Sequence, residues 1–195
     1  MGLRLITPPA EEPVTLAEAK AQLRLEHALD DTTVTALIST ARQYVELATW
    51  RALVTQTWEL SLDGFPVWSV TCPREIQLPK GDVQSVTSVK YDDPAGVEQT
   101  FPASSYIVDG YPPARVVLKR VANWPATNFE ALSVRVRYVA GYGAASAVPG
   151  PLKQATLLLV SQMYEHRVPE VTAAVIGQVQ FSFDALLAPY RLQVP

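Results

Sequence analysis

A chain of 195 residues is long enough for one substantial core, or one core carrying an inserted subdomain, and short for two independent domains. Charged residues make up 18% and the AVILMFWYC set 48%, a globular profile tilted toward burial that leaves apolar surface for an interface. A net charge of −3 and a pI near 5.4 argue against a surface built to neutralise phosphates, so nucleic acid near this chain would not be gripped tightly. No apolar run approaches the roughly 20 residues that cross a bilayer. The N-terminus lacks the basic start and long apolar centre of a signal peptide, so the chain is expected to be made and used without crossing a membrane. Its single cysteine, Cys72, can form no internal disulfide and has no neighbouring His or Lys to activate it.

Taken in order, residues 3–14 hold Pro8, Pro9 and Pro13 and read as an extended arm rather than an element. Thr15-Leu16-Ala17-Glu18 has the form of a capping box, and Leu16, Ala19 and Leu23 continue a short helical stripe to about Arg24. A long helix follows, with Asp30 or Asp31 placed to cap it and Val34, Leu37, Ile38, Ala41, Val45 and Ala48 on one stripe; Arg42 and Glu46 fall largely elsewhere. The two helices are expected to form a hairpin whose inner faces share Leu16, Leu23, Leu29, Leu37 and Ile38.

From about Leu53 the helical spacing gives way to alternation, with Trp58, Leu60 and Leu62 on one side of a strand. Short strands are expected around Ile76 and Leu78, at Thr87 to Tyr91, Glu98 to Phe101, Tyr106 to Asp109 and Arg115 to Lys119. Val83, Val86 and Val89 recur every third residue, which fits neither helix nor strand, so the stretch before Thr87 reads as irregular. In the last strand Leu132, Val134, Val136 and Tyr138 face one way and Ser133, Arg135 and Arg137 the other. Short strands and tight turns imply an antiparallel sheet solvated on one face. Pro149-Gly150-Pro151 then starts a helix that is apolar on more than one side, carrying Leu157, Leu158 and Val160 off its main stripe of Leu152, Ala155, Leu159, Gln162, Met163 and His166. Residues 170–183 show no consistent period and read as a mobile or partner-dependent loop before a last short helix at Asp184 to Tyr190.

No constellation in this chain carries obvious chemistry. His27 and His166 stand alone, 139 positions apart, and read as surface residues rather than ligands or bases. Gly141-Tyr142-Gly143 lies between a strand and a helix but lacks the third glycine and the Lys-Ser/Thr pair of a phosphate loop. The acidic pairs Asp30-Asp31 and Asp92-Asp93 are accounted for by cap and turn roles. Trp50, Trp58, Trp68 and Trp124 are scattered over different elements, which suits packing better than a sugar-binding platform. Catalytic, cofactor and metal residues are therefore expected to be absent. A carbohydrate- or peptide-binding accessory domain, and behind it a small hydrolase, stay open as alternatives.

One resemblance takes the reading further. Val14-Thr15-Leu16-Ala17-Glu18-Ala19-Lys20 with Leu23-Arg24, Asp31, Ala41-Arg42 with Val45-Glu46, and Leu53-Val54-Thr55-Gln56-Thr57-Trp58 occur in that order. Ser85-Val86, Ser88-Val89-Lys90-Tyr91-Asp92 and Tyr138-Val139-Ala140-Gly141-Tyr142-Gly143 follow. Val148-Pro149, Leu152-Lys153-Gln154-Ala155 and Leu186-Leu187-Ala188-Pro189-Tyr190-Arg191 complete the series. In this ordered set the chain resembles the long form of the tailed-phage head-tail connector, or adaptor, family, also found in prophages and gene transfer agents.

The resemblance implies an α+β fold: a helical core of two N-terminal helices plus the long C-terminal helix, with an antiparallel β region inserted. On that basis residues 1–53 form the arm and helical hairpin, 54–147 the β region, and 148–195 the C-terminal helix, loop and tail. It further implies a structural virion protein, assembled in the bacterial host cytoplasm, whose copies form a ring, commonly of twelve, under the portal protein. Such a ring would extend the DNA channel, pass DNA without holding it, and offer the attachment site for tail or stopper proteins. Leu157, Leu158 and Val160 are the expected ring contacts. The apolar chain end either docks on its own core or waits for a partner, and the resemblance favours the portal, with Phe181, Phe183, Leu186, Leu187, Tyr190 and Arg191 as contact residues.

Overall fold

The computed structural model describes residues 1–66, 74–128, 130–166 and 183–192. The fold mixes helices with antiparallel sheets, and the chain divides into two compact units, one of residues 1–9 and 55–141 and the other of 10–54 and 142–195. Among the described residues no helix is long and apolar enough to cross a membrane.

The second unit is helical: α1 (Leu16–Leu23), α2 (Asp31–Thr49) and α3 (Gly150–Glu165), with residues 183–187 helical and running into a 3-10 turn at Ala188–Tyr190. The capping box holds, because Thr15 Oγ1 accepts from the Glu18 N–H at 3.1 Å while the Glu18 carboxylate accepts from the Thr15 N–H at 2.6 Å. Arg24 and Trp50 end α1 and α2 in the left-handed conformation, both at φ 56°. Asp30 occupies the N-cap of α2 but makes no capping bond; its carboxylate accepts from the Tyr164 hydroxyl at 2.6 Å, and Asp31 pairs with Lys20 at 2.7 Å. The expected cap is thus replaced by two side-chain ties.

Two apolar clusters fill this unit. Val14, Ala19, Val34, Ile38, Ala41 and Val160 form one, with Leu16, Leu23 and Leu37 packed against it. Leu29, expected on the inner face of the hairpin, is 90% exposed in the turn between the helices. Val45, Leu53, Val54, Val148, Leu152, Ala155, Phe183 and Leu187 form the other. Arg42 and Glu46 are buried too, against the expectation from the stripe: Arg42 donates to Glu46 at 2.8 Å and to Glu12 at 2.8 Å, and Glu46 accepts from the Leu53 N–H at 3.0 Å. Buried charge survives here because each partner is satisfied.

The first unit is built of strands: β1 (Gly2–Thr7), β2 (Gln56–Leu62), β3 (Glu75–Gln77), β4 (Val83–Asp92), β5 (Glu98–Phe101), β6 (Tyr106–Asp109), β7 (Arg115–Leu118) and β8 (Val134–Ala140). They form a five-stranded sheet ordered β1-β2-β8-β4-β5 and a three-stranded sheet ordered β3-β7-β6, with every pair antiparallel. The first residues are a correction to the sequence reading. Gly2–Thr7 is an edge strand paired with β2 from Gly2↔Ser61 to Thr7↔Thr57, and the prolines that suggested an arm begin only after it.

The three-residue valine period also resolves. β4 is continuous, but its register against β8 shifts between Val83 and Ser85 and again between Val86 and Ser88. Each shift inserts one extra residue, so Val83, Val86 and Val89 oppose Ala140, Tyr138 and Val136, which are spaced by two on β8. Leu132 is not on the buried face of β8: it sits at φ 62°, 46% exposed, while Ser133 is buried and donates its hydroxyl to the Asp63 carbonyl at 2.8 Å. Gly110 is the glycine that close approach demands, since a Cβ there would run into the Val83 carbonyl, and its own carbonyl accepts from the Val83 N–H at 3.1 Å.

Candidate functional site

The acidic pairs singled out for chemistry are already engaged. Asp92 accepts twice from Arg135, at 2.7 and 3.0 Å, and Asp93 closes the β4-β5 turn by accepting from the Ala95 and Val97 N–H groups. Hydrogen bonds from Arg135 hold Asp92 below the usual carboxylate range, and those from Val97 and Gln99 do the same for Asp93. The glycine connector offers no phosphate cradle. The Gly141 N–H goes to the Asp82 carbonyl, that of Tyr142 to the Leu53 carbonyl, and the Ala145 N–H is taken by the Glu11 carboxylate at 2.7 Å. His27 and His166 are exposed, and among the described residues no group of three His, Cys, Asp or Glu could hold a metal ion. Cys72 and Trp68 lie outside the described residues.

The solvated face of the five-stranded sheet is a charge ladder. Arg137 pairs with Glu59 across β8 and β2 at 2.6 Å, Arg135 with Asp92 and Glu98 at 2.7 and 2.9 Å, and Lys90 with Glu98 at 2.7 Å. Lys90 and then Arg135 lower the Glu98 carboxyl, while Asp92 and Glu98 raise the Arg135 guanidinium. Cations and anions alternate in pairs, so this face presents no basic stripe to a duplex.

Aromatic residues gather in the same unit without forming a platform. Phe65 stacks on Trp124 at 4.6 Å with Phe101 beside them at 6.0 and 5.1 Å, whereas Trp58 lies under Lys80 at 4.9 Å. A cavity of about 460 Å³ opens beside Phe65 and Trp124, lined also by Arg74 and Asn123. Arg74 is spent on the Ala122 carbonyl and the Asn123 side chain. Two buried phenols, Tyr106 and Tyr138, are pushed above the ordinary tyrosine value by burial, and Tyr138 donates to the Pro79 carbonyl at 3.0 Å.

The residues expected at interfaces divide. Phe183 and Leu187 are 7% and 0% exposed within the chain's own core, with Leu186 and Tyr190 packed against it. Two further bonds fasten the tail, from Arg51 Nε to the Tyr190 carbonyl at 2.6 Å and from the Leu192 N–H to the Thr49 carbonyl at 3.1 Å. Arg191 is exposed and pairs with Asp184; Phe181 is not among the described residues. The described tail residues therefore pack on the helical unit of their own chain. Val160 is fully buried in the same chain and has no surface left for a neighbour, Leu157 packs on the core, and Leu158 is half-buried outside both clusters. Sequence reading missed the outer face of α2, where Tyr44, Leu47 and Trp50 are 52, 63 and 40% exposed; their i, i+3, i+6 spacing was the available signal.

No protein-family model matches the sequence, and no curated protein does. Solved structures do. A chain from the neck of an empty gene transfer agent particle, computed with C6 symmetry, is 25% identical, with a TM-score of 0.81 over 100% of this chain and 97% of that one. A chain from the virion of a native gene transfer agent particle gives 25% and 0.80 over the same shares. One from the neck of a native particle, computed with C12 symmetry, gives 25% and 0.78, again over 100% and 97%. The resemblance to head-tail connectors drawn from the ordered sequence motifs is matched by a likeness in fold over the full chain.

Proposed function

We propose that this chain is a structural subunit of the neck of a phage-like particle, a head-tail adaptor whose copies form a ring below the portal and receive a tail or stopper protein. The observation that carries the reading is the likeness to neck chains of gene transfer agent particles at a TM-score of 0.81 over 100% of this chain and 97% of the other. In this reading the helical unit is the core of the subunit, the β unit joins the N-terminal strand to the stretch between α2 and α3, and cyclic repetition gives the ring. Mild acidity supports it. Twelve chains at −3 would carry about −36, a wall that passes DNA without adhering to it. The paired charges of the sheet and the occupied acidic pairs support a scaffold better than a catalyst.

Particles encoded by the same genome test the proposal. Purified particles should contain this chain in about one ring's worth of copies, and antibody labelling should place it between head and tail. Intact tailed particles without the chain would overturn the reading.

A further inference from the structure

Helix α2 carries three charged residues, and all three are spent inside its own unit: Asp31 on Lys20, and Arg42 and Glu46 on one another, with Glu12 and the Leu53 N–H completing the set. Its outward side is left with no charge at all. Ala36, Thr40, Gln43, Leu47 and Trp50 are exposed at steps of four, three, four and three, the spacing of a helix-packing seam, with Tyr44 alongside. Helices that face only water normally carry charge on that side. This one presents three large apolar side chains at its C-terminal end instead.

The chemistry of the seam selects its occupant. Duplex DNA needs cations, and the seam offers none. A charged protein surface would lose its hydration against α2 without gaining a counter-charge. A second copy of this chain supplies what is needed, because α3 has eleven successive uncharged residues, 154–164, between Lys153 and Glu165. Leu158 lies within that stretch, half-buried and in neither core cluster. A closed ring of identical chains also requires two different patches per chain, one for each neighbour. We infer that the α2 seam of one copy packs against the Leu158 side of α3 in the next copy. The inference rests on the ring reading proposed above and names the faces that ring would use.

The test uses the full chain and reads assembly by mass in solution, with folding read separately by thermal melting. Leu47→Glu should keep the melting midpoint and raise the concentration at which rings form by at least about tenfold, while Leu132→Glu in the β unit should assemble as the unaltered chain does. Gln43→Glu probes the same seam without removing apolar surface, and should weaken assembly in the same direction. In a Cys72→Ser background, Leu47→Cys with Leu158→Cys should give a ladder of linked chains with a short bis-maleimide, and each single variant should not. Rings unaffected by both seam variants, with no ladder, would overturn the inference and leave the ring reading standing. If the unaltered chain assembles neither alone nor in isolated particles, the ring reading falls, and the inference with it.

Discussion

Single residues set the local limits of this fold. The Glu12-Arg42-Glu46 group ties the segment before α1 to the middle of α2 and, through the Leu53 N–H, to the chain leaving that helix. Arg42→Ala leaves two carboxylates facing a nearly closed site, so unfolding in urea should show a loss of about 3–5 kcal/mol; a loss under about 1 kcal/mol would mean that water already screens the group. Acid has a defined effect on the β unit. Arg135 lowers Asp92, and Lys90 and Arg135 lower Glu98, from ordinary values of 3.8 and 4.5. Their folded values lie below the unfolded ones, so their stabilisation is complete above the unfolded values and is lost as pH falls through the folded ones. The melting midpoint should drop as the pH is lowered below the unfolded values of 3.8 and 4.5, and Arg135→Met should flatten that drop. An unchanged slope would show that the ladder is ornamental. Of these residues the capping box was legible, because its partners are three apart; Arg42 was not, because its second carboxylate lies thirty residues away.

Elements were legible where their period was undisturbed. The alternation of Val134, Val136 and Tyr138 marked β8, and the helical stripe of Val34, Ile38, Ala41 and Val45 marked α2. The strand at Thr87 to Tyr91 was legible, but the start of β4 escaped because two bulges stretch its apolar period from two to three, and periodicity alone cannot see the partner strand that absorbs them. β1 escaped because an edge strand needs only one bonded neighbour, and that neighbour comes more than fifty residues later. The tail posed the opposite problem: its apolar content was plain, but whether a chain end docks or waits depends on a groove the sequence does not display. The structure docks it between Val45, Leu53 and Leu152. Leu187→Ala should therefore cost about 2–5 kcal/mol, and removal of residues 181–195 should lower the melting midpoint by many degrees. A shortened chain that melts as the full one does would return the tail to the partner.

At the scale of the whole molecule the sequence suggested a role only through the order of its motifs, since no catalytic or ligand-binding constellation could be read from it. The folded chain explains why. Among the described residues, the acidic pairs and the sheet's charges are taken up in turns, helix ends and cross-strand pairs, and the outward side of α2 is exposed and uncharged. Such a molecule should bind duplex DNA no better than about 10⁻⁴ M at physiological salt, below ordinary non-specific binders, with little dependence on salt; steep salt dependence would reveal a basic surface formed on assembly. The most direct measurement of the central claim is the mass of the purified chain in solution, alone and with portal rings from the same genome. The ring account predicts a discrete closed species, near 257 kDa if twelve chains of 21.4 kDa assemble. A mass that stays at one chain across concentrations and in the presence of portal rings would contradict it.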